Sequence, residues 1–299
     1  MDRIEVMELV RSFQVGELSR RDFLKRTAAT VGSLAAANAL LAACAQFPNE
    51  NPPPVVDESQ SAAPAGLETD GNLSVGVVEY PDADGETLMG YLAYQTDGGA
   101  KPAVVVIQEW WGLNDHIKDV ARRFANEGFV ALAPDLYHGQ VATEPDEARK
   151  LVMELDMPEA VKEIQQAIAY LQGQEFVSSD KAGIVGYCMG GGLVLQTALQ
   201  EDDLAAGVVY YGSPLEPDAA QQVKAPILTF IGTEDGIPVS GVEAMHAAFD
   251  TAGIENEFKV YDGAQHAFFN DSRANSYHAE AAADSWPLTL AWFRDHVSG

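Results

Sequence analysis

Apolar positions along this chain follow two alternating rhythms. Some stretches are apolar at every position, as at 103–107 (Ala-Val-Val-Val-Ile) and 129–133. In others apolar residues recur at helical spacing, as Ile117, Val120, Ala121 and Phe124 do. A short unbroken apolar run bounded by turn formers predicts a strand buried on both faces, and the helical spacing predicts a helix with one apolar face. On this reading strands cover 103–107, 129–133, 182–187, 205–211, 226–231 and 257–261, and helices cover 114–126, 146–154, 158–172, 191–199, 242–251 and 276–296. The punctuation agrees: Gly128 follows a helix end, Pro134 stops a strand and Pro158 suits the first turn of a helix. Upstream, 73–80 and 87–95 are β-rich runs split by Asp82-Ala83-Asp84-Gly85, a turn signal that predicts an antiparallel hairpin. Such alternation predicts an α/β fold, with a mostly parallel central sheet and helices on both faces, as a single domain over 71–299.

Residues 1–70 carry a different pattern. Ser19-Arg20-Arg21-Asp22-Phe23-Leu24-Lys25 matches the twin-arginine export signal, and an uncharged stretch from 27 to 43 follows it. That stretch is short and alanine-rich for a spanning helix, and closer to the apolar core of a signal peptide. It ends in Leu41-Ala42-Ala43-Cys44, which resembles a lipobox and makes Cys44 a candidate lipidation site. The bland alternative is an ordinary helix with a chance Arg-Arg pair. Residues 1–44 are therefore expected to be a signal peptide, and 45–70, polar, proline-bearing and without an apolar period, a flexible linker. The expected location is extracytoplasmic, either periplasmic or tied to a membrane through the signal or a lipid anchor.

Composition narrows the function. Of 299 residues 47% are hydrophobic, enough to build a core, and the formal net charge is −27. So acidic a surface repels phosphate backbones and anionic headgroups, which argues against nucleic acid or a lipid surface as partner. No cluster has metal-ligand spacing and no phosphate-binding loop is present, so no metal or other cofactor is expected. The two cysteines, Cys44 and Cys188, supply no disulfide framework. A lone thiol retained in an exported protein calls for another reason.

Gly186-Tyr187-Cys188-Met189-Gly190 supplies one. It directly follows a predicted strand and directly precedes a predicted helix, the pattern of a nucleophile elbow with cysteine at its centre. The turn is tight, so side chains at the flanking glycines would collide with backbone. The helix N-terminus favours thiolate, and the Met189 N–H is directed at a developing oxyanion. A free cysteine is most often a small buried apolar residue, but the register of strand, glycines and helix points to a nucleophile. Partners follow in the order nucleophile, acid, base. Asp235 and His266 each lie just after a predicted strand, with Glu234 as the rival acid. His266 would accept the thiol proton and later activate water, and Asp235 would fix its tautomer. The remaining histidines (His116, His138, His246, His278 and His296) fall in predicted helices or the wrong interval and are expected to be surface or structural.

These segments together resemble the dienelactone hydrolase family, within the α/β-hydrolase superfamily. The resemblance runs from about 73 to the C-terminus and rests on Gln108-Glu109-Trp110-Trp111-Gly112, Arg122-Arg123, Ala133-Pro134-Asp135-Leu136-Tyr137, the cysteine elbow and His266-Ala267-Phe268. It implies a Cys188-His266-Asp235 triad. It also implies that Glu109 contacts the resting thiol until substrate displaces it, and that the Trp110 N–H is the second oxyanion donor. The alternative for Glu109 is a cap for the helix near 114. Trp110, Trp111, Tyr137 and Phe268 are expected to line the cleft. The family binds a substrate carboxylate through arginines, one of them four residues past the histidine. Here that position is Asn270, with Arg273 as a substitute and Arg149 or Lys150 as the other cation.

The expected activity is hydrolysis of a small ester or lactone, of the dienelactone or carboxymethylenebutenolide kind, through a thioester on Cys188. Thiolate is itself a good leaving group, so cysteine suits acyl groups carrying good leaving groups, such as enol esters. The other readings are an exported non-catalytic ligand-binding protein on a hydrolase scaffold, or an acyltransferase or other esterase using the same triad.

Overall fold

The computed structural model describes Pro64 and residues 66–297. The export signal, Cys44 and nearly all of the linker lie outside the described residues. The strands are β1 (Glu68–Asp70), β2 (Leu73–Pro81), β3 (Thr87–Gln95), β4 (Ala103–Ile107), β5 (Val130–Pro134), β6 (Ala182–Tyr187), β7 (Leu204–Tyr210), β8 (Ile227–Glu234) and β9 (Asn256–Gln265). The helices are α1 (Asp115–Asn126), α2 (Pro145–Glu154), α3 (Met157–Gln172), α4 (Met189–Gln200), α5 (Pro217–Ala220), α6 (Val239–Ala252) and α7 (Ala279–Val297).

One sheet takes all these strands, in the order β1-β2-β3-β5-β4-β6-β7-β8-β9. The hairpin β2–β3 is antiparallel, from Leu73↔Gln95 to Pro81↔Thr87, and β3 lies antiparallel on β5. From β5 through β4, β6, β7, β8 and β9 every pairing is parallel. The unbroken apolar runs fall in the middle, where both faces are covered. Val104 and Val106 of β4 join the cluster of Ile117, Val120 and Phe124 from α1 and Phe293 from α7. Ala103, Val105 and Ile107 join Ile164 and Ile168 of α3 and Leu193 of α4 on the other face. Each fully buried Leu, Ile or Phe stabilises the fold by about 1.5–3 kcal/mol relative to exposure.

Local chemistry sets the helix starts. Asn114 caps α1, its side chain accepting from the Ile117 N–H at 3.2 Å, and Asp156 caps α3 through the Glu159 N–H. The capping alternative for Glu109 is therefore not realised, because Asn114 does that work. The edges depart from expectation. β1 falls inside the span read as linker, and the short α5 and the last four residues of β9 were not anticipated. These pieces are exposed or short, so no apolar rhythm announces them.

Candidate active site

The strand order reverses at β4, which lies between β5 and β6. Open α/β sheets build sites at strand carboxyl ends beside such a switch. Those ends deliver Glu109 just past β4 and Cys188 just past β6. Cys188 sits at φ 58°, ψ −119°, a conformation that costs an L-residue about 1–3 kcal/mol and persists only where its surroundings impose it. The surroundings do. A Cβ on Gly186 would collide with the Gly190 carbonyl, and one on Gly190 would come within 2.5 Å of the Gln108 oxygen. The Cys188 N–H is tied to the Tyr210 carbonyl at 3.0 Å. The side chain stays half-buried, at the N-terminus of α4. The backbone N–H groups of Met189 and Trp110 donate to no protein group among the described residues.

The imidazole arrives through strand register. β8 and β9 stay paired out to Glu234↔Gln265, so the next residues, Asp235 and His266, leave the sheet side by side. His266 Nδ1 lies 3.0 and 3.1 Å from the two Asp235 oxygens. The Asp235 side chain is fully buried and also accepts from the Ile237 N–H at 2.9 Å, whereas Glu234, the rival acid, is exposed. Burial pulls the imidazole toward neutrality, but the bonded Asp235 carboxylate and the negative charge available to the nearby Cys188 sulfur outweigh it and raise the His266 pKa to about 10. Cys188, His266 and Asp235 are thus brought together.

Glu109 is 1% exposed. Its oxygens accept from Asn270 Nδ2 at 2.6 Å and from the Tyr211 hydroxyl at 3.3 Å. Asn270 is itself locked, its oxygen accepting from the Ser272 N–H at 3.1 Å and hydroxyl at 2.6 Å. Among the described residues no hydrogen bond joins Glu109 to the thiol, so the resting contact expected for it is replaced by these two neutral donors. Burial pushes its carboxyl above the usual range, against the opposing pull of Asn270, Arg273, His266 and Tyr211. Tyr211 went unremarked in the sequence, although it too follows a parallel strand at its carboxyl end. Its φ of 41° turns it into the site, and its ring meets His266 edge-on at 5.2 Å.

The expected aromatic wall is only partly there. Trp110 is half-buried and packs edge-on to Trp111 at 4.9 Å, under Ala148 and Leu151 of α2. Tyr137 is buried beside them. Phe268 corrects the expectation. It is 0% exposed and packs on Tyr210, Tyr211 and Tyr261 in the core, because the left-handed turn at Ala267 (φ 66°) carries it back into the protein. Of the expected cations, Arg273 stacks over Trp111 at 3.6 Å from the ring centre. Arg149 and Lys150 do not reach the cleft. They are exposed on α2 and face Asp146 and Glu154, because the buried side of that helix is spent on Ala148 and Leu151.

With this geometry in place, the comparisons with known proteins are specific. The model of the dienelactone hydrolase family matches residues 88–297. A protein of Methylorubrum extorquens named "Putative carboxymethylenebutenolidase" is 38% identical over 253 residues, spanning 79% of this chain and 86% of its own. "Protein usf" of Aquifex pyrophilus is 36% identical, spanning 74% of this chain and 99% of its own. Among solved structures, one titled as a putative dienelactone hydrolase from Klebsiella pneumoniae superposes with a TM-score of 0.69 at 32% identity, covering 75% of this chain and 99% of that one.

Proposed function

The chain belongs to the dienelactone hydrolase family, a hydrolase family with the α/β-hydrolase fold, and from that premise we propose that it cleaves small esters or lactones through a thioester on Cys188. The observation that carries this reading is a single imidazole paired with a buried carboxylate at 3.0 Å and close enough to the sulfur on the strained elbow for that sulfur to raise its pKa. The Cys188 sulfur adds to the acyl carbon while His266 holds the thiol proton. The carbonyl oxygen takes the negative charge beside the unspent N–H groups of Trp110 and Met189. The acyl C–O bond breaks, and the leaving oxygen takes the proton from His266. Water then attacks the thioester, giving its proton to His266. The C–S bond breaks, and the acid leaves as the thiol is restored. Asp235 keeps the imidazole in the tautomer both halves require.

The acyl group is of the enol-ester or enol-lactone class, because an alkoxide leaving group competes poorly with thiolate for expulsion from the tetrahedral adduct. In this reading both half-reactions occur outside the cytoplasm, after export directed by residues 19–25, with the protein either periplasmic or held at a membrane through the signal or a lipid on Cys44. A substrate panel tests the chemistry. An enol lactone should turn over at least about 100-fold faster than an ethyl ester of similar size, with Cys188→Ala inactive on both. Equal rates, or turnover by Cys188→Ala, would contradict the proposal.

A further inference from the structure

Tyr137 occupies a position that an aromatic lining residue does not need. The segment Asp135-Leu136-Tyr137-His138-Gly139 leaves the end of β5 as a tight turn. The Asp135 carboxylate accepts from the Tyr137 N–H at 3.3 Å and the Gly139 N–H at 2.7 Å. His138 takes φ 50° and Gly139 φ 90°, so the chain accepts left-handed strain to hold this shape. The result is a ring only 4% exposed whose hydroxyl points toward the thiol end of the sheet.

That hydroxyl donates to the Trp110 carbonyl at 3.3 Å and lies 3.4 Å from the Met189 sulfur. Trp110 and Met189 are the residues whose N–H groups are unspent on either side of Cys188. They reach the site from different strands, one after β4 and one after β6. A single phenol therefore touches both halves, the first at its backbone carbonyl and the second at its thioether side chain. The first half closes on it tightly. Gly112 is at φ 93°, and a Cβ there would come 3.2 Å from the Tyr137 ring and 2.6 Å from the Gln140 carbonyl. Burial and the nearby Cys188 both raise the phenol pKa, so the hydroxyl remains a donor across the working range.

We propose that Tyr137 is a positioning residue for the oxyanion site: its hydroxyl spans the Trp110 and Met189 segments so that their N–H groups converge on one carbonyl oxygen. This rests on the thioester reading above. Donors aimed at a developing charge are effective only when held in place beforehand, and displacement of about 1 Å costs on the order of 10²-fold in rate.

Tyr137→Phe removes the hydroxyl and keeps the ring. The expected result is a fall in kcat of roughly 10- to 100-fold with KM changed less than about threefold. Alkylation of Cys188 by iodoacetamide should keep its wild-type rate and pH dependence, because displacement at a saturated carbon develops no carbonyl oxyanion. An unchanged kcat, or a rise in KM alone, would reduce Tyr137 to a substrate wall and overturn the proposal. Parallel loss of alkylation and kcat would also overturn it, as general damage to the site. Failure of the thioester reading has a different signature: wild-type Cys188 would be slow to alkylate, and Cys188→Ala would still turn over substrate.

Discussion

Glu109 is the residue at which burial and ionisation pull in opposite directions. A carboxyl group with 1% exposure loses its hydration, and only the neutral donors Asn270 and Tyr211 replace it directly. Its pKa is raised by that burial, so the folded protein holds the proton at pH values where the unfolded chain has released it. Stability linked to this group is therefore present below the ordinary carboxylate pKa and declines as pH rises above it. Glu109→Gln keeps the shape and removes the titration. Its melting temperature should match wild type near pH 4 and exceed it at pH 8, by about 2–4 °C for each kcal/mol relieved. Equal pH dependence of the two melting curves would contradict the account. Glu109, Cys188, Asp235 and His266 were legible in the sequence because each follows a strand. Asn270 was legible only as a departure from the family's arginine. The left-handed turn at Ala267 breaks strand alternation, so the inward turn of Asn270 and Phe268 could not be extrapolated along the chain.

At the level of elements, the site depends on two close approaches. The β6–α4 turn must bring Gly186 against the Gly190 carbonyl, and Gly190 against the ends of β4 that carry Glu109. Gly186→Ala should therefore destabilise the protein by about 3–5 kcal/mol, since the blocking atoms are backbone and cannot rotate away. Urea unfolding would measure it; a change below about 1 kcal/mol would show that the elbow is looser than described. Central elements were readable because burial on both faces forces unbroken apolar runs, as in β4 and β6. The ends were not. β9 continues through Asp262, Gly263, Ala264 and Gln265, where an edge strand has solvent on one side and no apolar pattern to show. Yet this unreadable extension, paired as far as Glu234↔Gln265, sets Asp235 against His266.

Across the whole molecule, one reversal of strand order gathers side chains from β4, β6, β7, β8 and β9 at one end of the sheet. The surrounding protein carries a formal charge of −27, while Arg273, stacked on Trp111, and His266 are the cations acting on buried Glu109. The acidity repels anions in general, and neutral acyl compounds approach without that opposition. Every role assigned above converges on one covalent species, an acyl group on the Cys188 sulfur. Its direct test is rapid acid quenching during turnover of an enol lactone, followed by mass analysis of the peptide that contains Cys188. The account predicts a mass increase equal to the ring-opened acyl group, confined to that peptide and absent from Cys188→Ala. Steady turnover with an unmodified Cys188, or the acyl mass on another residue, would contradict it.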